Sequence, residues 1–232
     1  MGPRIRHSLG AVAAAHYEAP PPGVSFLGIG VMSPRPGYGG TWAIPGPNNA
    51  SAPSGTFLVA VMQDDTGNGP SHITAPTGWT AASGTAYFVT GFTSFYIFTK
   101  RAGAGEPTSY TFSSGGSDPK LAFILGYSNV NATPHDAATT TSLSQTGSVS
   151  APSITTATAN AMHIAIAVAA SGANLGTLST PANYDPRSNT ASLGFAVYDR
   201  LIAPPGATGS KTIVASGFAG QAAGVSIALR AA

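Results

Sequence analysis

Along most of this chain the apolar residues come in short runs of strand length, bounded by clusters of turn residues. VSFLGIGV, TFLVAVM, TAYFVT, SFYIFTK, TSYTF, LAFILGY, MHIAIAVA, SLGFAVYDRL, KTIVAS and GVSIALR are such runs, rich in Val, Ile, Phe, Tyr and Thr. Between them lie PGYGG, PGPNN, DDTGNGP, RAGAGEP, SSGGSDP and APPGATG, in which Gly supplies positive φ and Pro holds φ near its turn value. In several runs both alternating faces are apolar, as with Phe95 and Ile97 against Tyr96 and Phe98. Such a strand lies between two layers or presents its outer face to a partner. The pattern predicts an all-β fold, a β-sandwich or jelly roll, over residues 24–232.

The pattern also repeats. Phe57 to Met62 (FLVAVM) aligns with Met162 to Ala167 (MHIAIA), and Pro76 and Trp79 of APTGW align with Pro181 and Tyr184 of TPANY at the same spacing. SFYIFTKR then aligns with GFAVYDRL, TSYTF with SKTIV, and LAFILGY with GVSIALR, all in the same order. Residues 55–128 and 161–230 therefore read as similar halves, each a strand, loop, strand, hairpin and strand. Two such halves can pack face to face as the layers of a sandwich, each burying the apolar side it cannot cover alone.

Residues 1–23 read differently. MGPRIRHSLGAVAAAH has the basic start and small-residue run of a secretion signal, but its apolar stretch from Leu9 to Ala15 is short and weakly hydrophobic. The following Pro20, Pro21 and Pro22 cannot continue a helix and favour an extended form. The segment is expected to be an extended N-terminal arm lying on a neighbouring chain. Arg4 and Arg6 would give charge-assisted hydrogen bonds, and Tyr17 with the prolines would give apolar area.

Composition narrows the function classes. Only 8% of the 232 residues are charged, while 43% are hydrophobic and 29 are Gly. The polar balance falls to short uncharged side chains, which let surfaces pack together without desolvating many ions. That favours a multi-copy assembly. The basic residues beyond the arm are scattered, where nucleic acid would want a stripe, and no run of 18 apolar residues offers a transmembrane helix. Neither a nucleic-acid nor a membrane partner is expected. The chain has no cysteine, which excludes disulfides, thiolate metal sites and cysteine nucleophiles.

The remaining chemical groups do not converge in sequence. DDTGNG begins like a calcium loop, but Ala75 stands where the bidentate acid would be needed. His7, His16, His72, His135 and His163 are widely separated, so neither a metal nor another cofactor is expected. Pro134-His135-Asp136 sets a histidine beside an acid, yet neighbours on an extended chain point apart. No G-x-S-x-G elbow occurs, and the acids are isolated or adjacent in turns. No catalytic residue is assigned. Tyr38, Trp42, Trp79 and Tyr184 are the candidates for glycan stacking if exposed, and plugs for the ends of the sandwich if buried.

Taken in order, TFLVAVM, APTGW, SFYIFTKRAGAGEPTSYTF, LAFILGYSNVNATPHDA and the closing SIALRAA resemble a set of β-rich virion proteins of tailed bacteriophages, found among head decoration and minor tail components. The resemblance runs from about Phe57 onward and uses no sharp motif. It implies a non-enzymatic structural protein of the virion, assembled in the host cytoplasm. Decoration of the phage head is the first expectation, with the major capsid protein as partner. The alternatives are a minor tail or fibre protein that binds host glycans, and a secreted carbohydrate-active β-sandwich protein.

Overall fold

The computed structural model describes residues 22–32, 40–64, 73–82, 87–89, 93–114, 119–170, 174–190 and 194–232. The strands are β1 (Ser25–Val31), β2 (Gly40–Pro45), β3 (Phe57–Asp64), β4 (Ile73–Thr74), β5 (Thr80–Ala81), β6 (Tyr87–Val89), β7 (Thr93–Arg101), β8 (Ser109–Ser114) and β9 (Pro119–Ser128). They continue as β10 (Val130–Ala151), β11 (Thr155–Thr156), β12 (Ala161–Ala169), β13 (Thr177–Leu178), β14 (Asp185–Thr190), β15 (Phe195–Ile202), β16 (Gly206–Ala207) and β17 (Lys211–Ala231). The expected all-β sandwich is present.

Two antiparallel sheets form its centre. The first has the order β1-β9-β3-β7-β5, with β6 also on β7, and the second has the order β10-β17-β12-β15-β14. Numbering the strands of each ordered path along the chain, both orders read first, fifth, second, fourth, third. The registers agree as well. Phe57 pairs with Arg101 and Met162 with Leu201, while Thr80 pairs with Thr99 and Asp185 with Asp199. Phe26 faces Tyr127 as His135 faces Leu229.

The corresponding strands begin at β1 and β10, upstream of residues 55 and 161, where the sequence alignment starts. That alignment also slips by one residue in two elements. Leu121, Phe123, Leu125 and Tyr127 face the same core as Ala223, Val225, Ile227 and Leu229, so Leu121 corresponds to Ala223 where the written patterns set it on Gly224. Likewise Ile213 and Ala215 are buried, while Thr212 and Val214, the residues aligned with Tyr110 and Phe112, are exposed. A one-residue slip moves every side chain to the other face of a strand. When both faces are apolar, composition cannot reveal the slip.

The inner faces of the two sheets meet in one core, in which Phe57, Val59, Val61 and Phe123 oppose Ile164, Ile166, Phe195 and Val225. The Phe123 and Phe195 rings stack with centroids 4.6 Å apart. The outer faces are apolar too and are covered within the chain. A ribbon of order β2-β8-β4 lays Trp42, Ile44, Tyr110 and Phe112 over Leu58, Met62 and Phe98. On the other side β13 and the near ends of β10 and β17 lay Leu178, Val149 and Ile213 over Ala165, Ala167 and Tyr198. The stack is ribbon, sheet, sheet, ribbon, four layers where the sequence suggests two.

β10 and β17 each run through both sheet and ribbon as one bent strand, whereas β1 with β2, and β8 with β9, divide that path into two. The bend folds β10 back far enough that the Ser142 hydroxyl donates to the Ser150 carbonyl of the same strand. It brings the Ser150 carbonyl down on Gly224, where a Cβ would overlap the carbonyl oxygen. Glycine is needed there for the close approach.

Candidate functional site

The residues singled out from the sequence divide into two groups. Arg4, Arg6, Tyr17, Pro20, Pro21 and Tyr38 lie outside the described residues, and Pro22 is exposed just ahead of β1. The other three aromatic candidates are corrected by their burial. Trp42 is 1% exposed, Trp79 9% and Tyr184 5%, so these rings are core and form no stacking platform. The cause is the pair of outer ribbons, which turns the outward faces of the sheets into two further cores. Trp79 meets Tyr110 and Phe112 edge-on at 5.1 and 5.3 Å. Trp79 and Tyr184 close corresponding turns, their amides donating to the carbonyls of Pro76 and Pro181 at 3.2 and 3.1 Å. Gly78 and Asn183 take the positive φ that such a turn demands, at 86° and 64°.

His163, on β12, is fully buried and its Nδ1 is hydrogen-bonded to the Tyr184 hydroxyl. Its Nε2 is buried with no partner. Burial, with a smaller contribution from the Lys211 charge, pulls its pKa down to about 4. Burial pushes the Tyr184 phenol up to about 12. The corresponding residue on β3 is Leu58, so the histidine occupies an apolar position.

His135 and Asp136 part as neighbours on a strand do. The His135 ring stands edge-on to Phe57 at 6.0 Å, half-buried, and burial lowers its pKa. Asp136 accepts from the amides of Ala157 and Thr158 at 2.6 and 3.2 Å, from the Thr158 hydroxyl at 2.7 Å and from Arg230 Nε at 3.3 Å. Burial alone would raise that carboxyl, but the hydrogen bonds outweigh it and hold its pKa below the ordinary value. It pins the chain between β11 and β12.

A polar network was missed in the sequence. Asp199 sits on the inward face of β15, after Phe195 and Val197, and is fully buried. Its carboxylate accepts from Arg187 Nε at 2.7 Å and from the Tyr127 hydroxyl of the opposite sheet at 3.2 Å. Arg187 also meets Asp185 at 3.0 Å and lies over the Phe26 ring at 4.8 Å. Burial raises the Asp199 pKa more than the guanidinium lowers it, and burial beside the carboxylate pushes the Tyr127 phenol well up. This network joins the two sheets at one edge of their shared core. The signal in the sequence was an acid at an inward position of an apolar strand.

At the corresponding edge on the other side no such network occurs among the described residues. By register, Thr99 replaces Asp199, Thr80 replaces Asp185, and His135 replaces Phe26. Ala82, bonded to Ile97 as Ser188 is paired with Val197, matches Ser188, and Arg187 at the register shift of β14 has no counterpart. The space is an open cavity of about 350 Å³, lined by Phe57, Thr80, Ala82, Thr99, Arg101 and His135 among others. Arg101 stacks over Phe57 at 5.6 Å and donates to the carbonyls of Gly55, Val130 and Asn131 at 3.0, 3.0 and 2.5 Å. Lys100, on the other face of β7, is held at 2.8 Å by Glu106, whose carboxyl stays below its ordinary pKa because hydrogen bonds from Lys100 and Gly103 outweigh burial.

Among the described residues Tyr184 is committed to His163, Tyr127 to Asp199 and Thr158 to Asp136, and the Tyr110 hydroxyl stands beside Glu106. The three phenols are buried in core, and Thr158 serves a loop. Among the described residues no group of three or more His, Asp or Glu is placed to hold a metal ion. No protein-family model, no curated protein and no solved structure matches this chain.

Proposed function

We propose that this protein is a structural component of a tailed-phage virion, most plainly a decoration protein that cements the head, and that it performs no reaction. The reading rests on the resemblance noted in the sequence and is supported by one structural observation. Residues 137–144 of β10, at the edge of the second sheet, form an uncharged run, AATTTSLS, with Leu143 59% exposed. Sheet edges are ordinarily defended by charge, and an uncharged one packs against a neighbour without desolvating ions. Cementing then works by mass action, since a protein that binds the assembled lattice and not its free parts stabilises the lattice. In this reading residues 1–23 tether the domain to an adjacent shell subunit. We also read the matching strand orders as an internal duplication that supplies a rigid scaffold.

Quantitative mass spectrometry and imaging of purified particles test the reading. A decoration protein is present in many copies over the shell, whereas a handful of copies at one vertex or on the tail would refute head decoration and favour the tail alternative. Deleting residues 1–23 tests the tether. The truncated protein should fold normally and lose its attachment to particles, and undiminished attachment would exclude that role.

A further inference from the structure

We propose that the cavity between β7 and the start of β10 binds a carboxylated sugar unit, with Arg101 holding the carboxylate and Thr80, Thr99 and His135 reading the hydroxyls. The inference does not rest on the virion reading, because it follows from comparing two corresponding places in one molecule.

At the edge near β14, the corresponding space is filled by the molecule itself, with Arg187 closing on Asp199 and Asp185. At the edge near β7 threonines stand in register with both acids, and no arginine matches Arg187, which lies at a register shift in β14. A guanidinium is nevertheless present, supplied by Arg101 where the other side has Leu201. Among the described residues the cavity lining thus has two cations, Lys100 already paired with Glu106 and Arg101, and no carboxylate. Among the described residues no carboxylate pairs with Arg101, whose hydrogen bonds go to three carbonyl oxygens. Hydrogen bonds to neutral carbonyls leave its charge uncompensated; they occupy Nη2 and one hydrogen of Nη1, so a carboxylate would meet the guanidinium through its charge and a remaining single N–H.

The other walls narrow the class. Thr99 is 8% exposed and lines the cavity, and its hydroxyl makes no hydrogen bond among the described residues. The ring nitrogens of His135 and the Thr80 hydroxyl are likewise unpartnered among the described residues. The lowered pKa of His135 keeps its imidazole neutral, with one donor and one acceptor. Phe57, Ala82 and Pro134 supply apolar surface. A ligand matching all of these has one carboxylate, several hydroxyls and an apolar ring face, which describes a uronic-acid-type residue of an acidic polysaccharide. The volume lies at the lower end of the range of small-ligand sites.

The test is an NMR titration of the isotope-labelled full chain with glucuronate, glucose and N-acetylglutamate. Glucuronate should move the Thr99 and His135 amide signals with millimolar affinity, and glucose should bind roughly tenfold or more weakly, the worth of one charge-assisted pair. Thr99→Asp, which restores the acid found at Asp199, should abolish the response by pairing with Arg101 and repelling the ligand. Ala132→Trp, at an exposed position on the rim, should do the same by blocking the mouth, and serves if the first variant does not fold. No shift at Thr99 and His135 would overturn the proposal, as would equal binding of glucose. Equal binding of N-acetylglutamate would move the site to peptide carboxylates and sink the sugar assignment.

Discussion

His163 offers the sharpest test of the fold, because a titratable ring stands where the other sheet has Leu58. The folded protein holds its pKa near 4 against an ordinary 6.5. The unfolded chain therefore takes up a proton as pH falls through 6.5, and the folded one does so only near 4. The histidine's contribution is complete above 6.5 and is lost progressively down to 4. The full shift corresponds to about 3 kcal/mol, and going from about pH 7.5 to about pH 5 should already remove about 2 kcal/mol.

His163→Leu removes this dependence. It also strips the Tyr184 hydroxyl of its partner, so its absolute effect at neutral pH mixes gain and loss, and the informative quantity is the difference between pH values. Urea unfolding of wild type and variant at the two pH values gives it directly. The variant should gain about 2 kcal/mol relative to wild type on acidification, or roughly 4–8 °C in Tm for a chain of this size. His135, Glu106 and Asp136 also have lowered pKa values and make both proteins acid-labile, but they cancel in the comparison. If the stability difference between the two proteins stays constant across that range, the ring is not held neutral by burial and the placement of His163 in the outer core is wrong.

Other perturbations follow from particular contacts. Gly224→Ala should destabilise the fold by about 2 kcal/mol or more, because the added Cβ meets the Ser150 carbonyl, a backbone atom that cannot swing away; denaturant unfolding reads it. Arg187→Leu leaves Asp199 and the Tyr127 hydroxyl together in the core without a counter-charge and should cost about 3–5 kcal/mol at neutral pH. Since losing the guanidinium raises the Asp199 pKa further, that loss should shrink on acidification as the carboxyl takes a proton; a pH-independent loss would contradict it. Asn183→Gly should be nearly neutral because Gly78 performs the same positive-φ task, whereas Asn183→Val should cost about 1–3 kcal/mol in the same unfolding assay.

Local patterning carried the secondary structure of this protein. Runs such as SFYIFTKR and MHIAIAVA are too short and too β-branched for helices, and Gly and Pro punctuate them where the chain must reverse, so strands and turns were legible one by one. The correspondence of APTGW with TPANY was legible too, because a turn with positive φ in its third position leaves a local residue signature. What covers the second face of each sheet was not legible. A strand apolar on both sides states only that both faces are buried, and whether a ribbon of the same chain or a neighbour buries them depends on contacts between distant segments. Trp42, Trp79 and Tyr184 became core for that reason. The register of LAFILGY against GVSIALR was undetermined because a slip exchanges one apolar face for another. The Asp199–Arg187–Tyr127 network and the cavity facing Thr99 depended wholly on the tertiary structure, since whether a charged or polar side chain finds a partner or open space is settled by what the opposite sheet places before it.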